Sequence, residues 1–126
     1  LKRGALASSV AHDHHNIVVV GTNDADMAAC VRAIQEMQGG FVAVADGVEV
    51  GRLPLPLGGL LSDAPVDEVI AALEGLNAAV TQHMGGTLPA PFMTISFISL
   101  PTVPKLGLTD KGLVSVEEHC LIDLVV

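Results

Sequence analysis

Two stretches of the chain carry apolar residues at helical spacing. In each, apolar positions recur every three or four residues and so form one stripe of a helix. In the first stretch the stripe comprises Met27, Cys30, Val31, Ile34 and Met37. In the second it comprises Val66, Val69, Ile70, Leu73, Leu76 and Val80. Asn23 or Asp24 can cap the first helix, and Pro65 suits the first turn of the second.

Other segments are typical of β-strands, because β-branched and aromatic residues follow one another without helical spacing. These segments are Ala5–Val10, Asn16–Val20, Phe41–Ala45, Val48–Leu53 and Phe92–Leu100, with 114–116 and 121–126 as candidates for the last strands. Asp46-Gly47 predicts a two-residue hairpin turn. We therefore expect one domain over residues 1–126 of the α+β class. It would be a two-layer sandwich with a mixed or antiparallel sheet and two main helices on one face.

The segment from Leu53 to Leu61 fits neither element. Pro54 and Pro56 forbid both a helix and a central strand. The segment is nevertheless apolar, which predicts an irregular connection that is buried or covered by a partner.

The charge of the chain excludes some classes of partner. A formal net charge of −8 at pH 7 argues against binding to nucleic acid or to an anionic membrane surface. No apolar run approaches the roughly 20 residues of a membrane span, and no signal peptide is evident. Cys30 and Cys120 are not in a C-x-x-C pair, so we interpret them as reduced thiols of a cytoplasmic protein.

The most polar part of the chain is the run His12-Asp13-His14-His15-Asn16, which precedes an apolar strand. On a strand, His12 and His14 would share a face and could ligate one metal. Asp13 could instead orient a histidine for proton transfer. The cluster could also hold a ligand through polar donors, or it could be a solvated turn. The spacing leaves all of these readings open.

Other polar groups favour ordinary structural roles. The turn 21–24 lies between a strand and a helix and could hold an anion, but Asp24 and Asp26 would repel a phosphate, so helix capping is the better interpretation. His83 and His119 each stand alone in the sequence and are interpreted as surface or core-edge residues.

The run Val10–Ile17 resembles the signature V-A-H-D-S-H-N-I of the C-terminal domain of bacterial-type adenine deaminases. Four further stretches resemble that family in the same order. They are 21–24 with Asp26-Met27, 53–57 through 62–63, 91–94 through 100–101, and 108–114. Five ordered matches that span nearly the whole chain form a specific signal.

The resemblance implies a two-part enzyme of the amidohydrolase superfamily that converts adenine to hypoxanthine and ammonia. Its catalytic β/α barrel would lie upstream of residue 1 and would hold a dinuclear centre of manganese or iron that activates water. For these 126 residues alone we expect no bound metal, no cofactor and no activity. The implied setting is cytoplasmic purine salvage or adenine catabolism.

The signature also bears on the site residues. His12, Asp13, His15 and Asn16 match it, whereas His14 stands where the family has serine, which weakens a metal-ligating role for the histidines. We expect the matching residues to contribute to the mouth of the active site or to the seam with the barrel. The expected partners are that barrel, adenine and further copies in a homo-oligomer. The alternative is a non-catalytic oligomerisation or scaffold module, or a purine-binding module.

Overall fold

A computed structural model describes residues 1–11, 13–102 and 105–124 of the chain. The elements, in chain order, are β1 (Ala5–Ser8), β2 (Val18–Gly21), α1 (Asp24–Glu36), β3 (Gly40–Ala45), β4 (Val48–Pro54), α2 (Val66–Met84), α3 (Pro91–Ile95), β5 (Leu106–Thr109), β6 (Gly112–Ser115) and β7 (Cys120–Ile122). The α+β class and the two main helices are confirmed.

Four strands form the main sheet, in the order β2-β1-β3-β4, and all neighbours are antiparallel. The β3–β4 hairpin turns at Asp46 and Gly47, whose φ angles of 54° and 77° are those of a type I′ turn. The hairpin prediction is therefore confirmed. The sequence left a mixed or an antiparallel sheet open, and the observed sheet is antiparallel.

The two main helices cover opposite faces of this sheet, so the expectation that they share one face is wrong. Alternate residues of β1 and β3 point to opposite sides. Ala7 and Val42 pack with α1, whereas Leu6 and Ala43 pack with α2 and α3. The physical reason is that β1 and β3 are apolar on both faces, and each face needs its own cover.

The start of α1 follows the predicted chemistry, whereas Pro65 lies one residue before α2 and not in its first turn. Asn23 caps α1, and its side chain accepts a hydrogen bond from the backbone N–H of Asp26. Helix α2 begins directly after Pro65 and ends at Gly85, which has the left-handed conformation that commonly closes a helix.

The segment 92–100 is not a strand, so that prediction is wrong. Pro91 begins the short helix α3, where its missing N–H costs nothing. Phe92 and Ile95, three residues apart, face the core together, and the Phe92 ring stacks on Phe41 with ring centroids 5.1 Å apart. Because a short apolar run such as 92–100 fits a buried strand as well as a helix, the run alone could not distinguish the two elements.

The last part of the described chain forms a separate three-stranded antiparallel sheet in the order β5-β6-β7. A turn between residues 109 and 112 joins its first two strands. The expected last strands at 114–116 and 121–126 overlap β6 and β7, although Val125 and Val126 lie outside the described residues.

The connection from Leu53 to Leu61 is partly buried. Leu53 and Leu55 belong to the core, whereas Leu57 and Leu61 are exposed. The first part of the segment is therefore covered within this domain, as expected. The later part leaves apolar side chains exposed.

Candidate functional site

The polar run lies in the loop between β1 and β2, and two serines fix the start of that loop. The Ser8 hydroxyl accepts a hydrogen bond from the backbone N–H of Val10 at 2.9 Å. The Ser9 hydroxyl accepts from the N–H of Gly40 at 2.8 Å and donates to the carbonyl of Gly59 at 2.5 Å. The loop therefore leaves a rigid strand end that is tied to two other segments.

The loop itself turns its polar side chains outward. Ala11 is buried, and its carbonyl accepts a 3.0 Å hydrogen bond from the N–H of His15. Asp13 and His15 have φ angles of 63° and 52°, a left-handed conformation that glycine adopts freely and that Asp and His adopt more often than most other residues. The side chains of Asp13, His14, His15 and Asn16 are all exposed. His12, the remaining predicted site residue, lies outside the described residues.

Asp13 and His15 line the same cleft. Its volume is about 270 Å³, and its other wall is formed by α3 and the turn that follows it, through Met93, Ser96 and Phe97. Met93 and Phe97 are themselves exposed. A carboxylate and an imidazole thus stand beside an open apolar surface.

Asn16 and His14 face the other way, towards the three-stranded sheet. They line a cleft of about 340 Å³ together with Asp110 and Lys111 of the β5–β6 turn. Asn16 also borders a larger cleft of about 740 Å³ that runs along β2. The structure therefore brings Asp13 and His15 together and places Asn16 on the opposite side of the loop.

Metal binding finds no support in the described residues. Within 1–11, 13–102 and 105–124, no group of three His, Cys, Asp or Glu side chains is arranged so that it could hold a metal ion. The residues that the structure describes therefore do not fit the dinuclear metal centre of the amidohydrolase superfamily, and we derive no chemical step through a metal on this chain.

Two buried ionisable groups lie away from the loop and have structural environments. The Asp26 carboxylate accepts hydrogen bonds from the side chain of Asn23 and the backbone N–H groups of Gly47 and Asp46, and these lower its pKa. Burial raises the pKa of the Cys30 thiol to about 11, so this cysteine is protonated at neutral pH and is a poor nucleophile.

Sequence reasoning missed the apolar part of this region. Met93 and Phe97 were assigned to a strand, so their position beside the loop could not be foreseen. Pro91 at the first helical position was the available signal. Ser99, which borders both clefts on the Asn16 side, has no sequence motif that would identify it.

No helix among the described residues is both long enough and apolar enough to cross a membrane.

The geometry defines an α+β domain with a polar loop at one end of its main sheet. The sequence matches the family described as "Adenine deaminase C-terminal domain" over residues 1–120, and the chain belongs to that family.

Curated relatives agree with this assignment. An adenine deaminase of Desulforamulus reducens is 60% identical over all 126 residues of the chain. Adenine deaminases of Dehalococcoides mccartyi and Moorella thermoacetica are 49% and 48% identical over 97% and 98% of the chain. The chain spans only 21% of the length of each of these three relatives.

Proposed function

We propose that this chain is the C-terminal domain of a cytoplasmic adenine deaminase, an enzyme that hydrolyses adenine to hypoxanthine and ammonia. The reaction would serve purine salvage or adenine catabolism. The proposal is supported by the family membership. It is also supported by a relative named adenine deaminase that matches the full length of the chain.

In this proposal the catalytic barrel and its manganese or iron centre belong to the part of the polypeptide that precedes residue 1. When bound, such a centre supplies an activated water. In this proposal the 126 residues alone would not deaminate adenine, because the catalytic centre lies in the barrel.

The contribution of this domain would come from the loop, through His12, Asp13, His15 and Asn16. The observation that carries this role is that Asp13 and His15 project from an anchored loop into one cleft beside the exposed Met93 and Phe97. An exposed apolar surface that is bordered by polar groups suits an interface with another part of the enzyme. The loop would thus lie at the active-site mouth or at the seam with the barrel.

The test is steady-state deamination of adenine by the full-length enzyme. Asp13→Ala and His15→Ala should each lower kcat/KM by at least tenfold if the loop reaches the active site. His14→Ser is the matched control, because it removes an adjacent exposed imidazole in favour of the residue that the family signature carries. Unchanged kcat/KM in both alanine variants would contradict the active-site role, and unchanged thermal stability as well would contradict the seam.

A second candidate function is oligomerisation, and one observation favours it. Four large apolar side chains are exposed between residues 57 and 70, namely Leu57, Leu61, Val66 and Ile70. Exposed apolar clusters often mark protein contacts. Sedimentation of the full-length enzyme would test this, since Leu61→Glu should lower its oligomeric state, and an unchanged state would exclude the patch as the contact.

A further inference from the structure

Strand β2 is an edge of the main sheet, and its register shows which backbone groups face outward. The N–H of Thr22 donates to the carbonyl of Gly4 at 2.9 Å, and Ala5 lies opposite Gly21. Bonded and non-bonded pairs alternate along an antiparallel pair of strands. The N–H and C=O groups of Gly21 and Val19 therefore point away from β1.

This outer edge lies along a cleft. Within the described residues, no other segment donates or accepts a backbone hydrogen bond at Val19 or Gly21 on this side. Val19 lines the cleft of about 740 Å³, whose opposite wall is formed by residues 98–99 and 108–110. The N–H of Leu108 donates to the carbonyl of Ile98 at 3.0 Å and joins the two parts of that wall.

A buried hydroxyl borders the same cleft without a partner. Ser99 is 8% exposed, and its Oγ has no hydrogen-bond partner among the residues that the structure describes. Buried polar groups in native proteins are nearly always hydrogen-bonded. The Ser99 hydroxyl therefore needs a hydrogen-bond partner, which can be water or a polar group that enters the cleft.

The cleft also lacks the charges that usually protect an exposed edge strand. Natural edges commonly carry lysine, proline or inward-pointing charges that prevent pairing with another chain. Residues 17–21 carry none of these, and Asp110 is the one charged residue that lines the cleft in the described part of the chain. The site therefore suits an extended, uncharged peptide segment.

We propose that an extended segment from the N-terminal part of the same polypeptide enters this cleft and pairs with β2 as a fifth strand of the main sheet. The outward groups of Val19 and Gly21 bind its backbone, and the Ser99 hydroxyl bonds to one of its polar groups. This inference rests on the proposed function, because it takes the chain to be one domain of a longer enzyme.

The length of the relatives favours this occupant over a second copy of the chain. About four-fifths of each relative lies outside the matched 21%, so any segment there is tethered to the cleft at high effective concentration.

Photo-crosslinking in the full-length enzyme tests the proposal. Benzoylphenylalanine replaces Leu108, whose side chain is exposed and lines the cleft, and in a control it replaces Val48 near the opposite edge of the sheet. We expect a cross-link within one polypeptide, from position 108 to a peptide upstream of residue 1, and none from position 48. A cross-link between two chains, or no cross-link from position 108, would overturn the proposal.

A second pair of variants tests the hydrogen bonds. Val19→Pro removes an outward N–H and leaves the pairing with β1 in place, so the yield of the position-108 cross-link should fall at least fivefold. Arg52→Pro is the control on β4, where the bond from Leu55 N–H to Gly39 O places the N–H of Arg52 outward by the same alternation. Circular dichroism checks that both variants are folded. Equal yields of the position-108 cross-link in the two folded variants would exclude strand addition.

Deamination assays on the same enzyme separate this proposal from the proposed function. An active enzyme without the intramolecular cross-link would overturn strand addition alone. An inactive enzyme with the cross-link would overturn the adenine deaminase activity and support strand addition.

Discussion

The backbone N–H of Gly47 donates a 2.8 Å hydrogen bond to Oδ1 of Asp26, which lies in the first turn of α1. The other carboxylate oxygen accepts from Asp46 N–H at 3.1 Å and from the Asn23 side chain at 2.8 Å. One buried carboxylate thus joins the start of a helix to the turn of the β3–β4 hairpin, and it holds α1 against its face of the sheet.

Replacing Asp26 with asparagine should lower the melting temperature by several degrees. The amide has one acceptor oxygen in place of two, so at least one hairpin N–H loses its partner. Asp24→Asn is the matched control, because Asp24 is an exposed acidic residue of the same turn. Thermal unfolding followed by circular dichroism measures both, and equal melting temperatures would contradict the role assigned to Asp26.

The same carboxylate predicts a pH dependence. The hydrogen bond from Asn23, followed by that from Gly47, lowers the pKa of Asp26 in the folded state. Its stabilising contribution is complete above the unfolded pKa of about 3.9 and is lost as pH falls through the lower folded value. The difference in melting temperature between the wild type and Asp26→Asn should therefore be largest at neutral pH and shrink below about pH 4.

The parts of the fold that could be predicted from the sequence are those with local causes. The cap at Asn23 and the turn at Asp46-Gly47 depend on hydrogen bonds and φ angles within a few residues. The side of the sheet on which each helix packs depends on contacts between distant residues, and no local pattern encodes it. The continuous apolar run from 41 to 45 was one signal that both faces would be covered.

Two adjacent residues of helix α3 should differ in how much they contribute to stability. Phe92 is 1% exposed and stacks on Phe41, so Phe92→Ala should destabilise the domain by about 3–5 kcal/mol. The adjacent Met93 is 52% exposed, so Met93→Ala should change stability by less than about 0.5 kcal/mol. Denaturant unfolding of the two variants checks this, and a similar loss in both would mean that α3 is misplaced.

The candidate site, too, could be predicted from the sequence only in part. The polar run at 12–16 could be found from the sequence because its residues are contiguous. Its surroundings could not, because Met93 and Phe97 approach Asp13 and His15 only after α3 packs on the core. The split that places Asn16 towards Lys111 and away from His15 is likewise a consequence of the turn within the loop.

The backbone of His15 offers a way to separate function from stability. Its φ of 52° lies in the left-handed region, which glycine adopts freely and which costs most other residues roughly 1 kcal/mol. His15→Gly should therefore stabilise the domain by up to about 1 kcal/mol while it removes the imidazole. His15→Ala removes the same imidazole and keeps the strain. If the imidazole acts at the active-site mouth, both variants lose kcat/KM for adenine equally, although their melting temperatures differ. If His15 only shapes the loop, His15→Gly retains full activity, and the imidazole has no part in the function proposed for this loop.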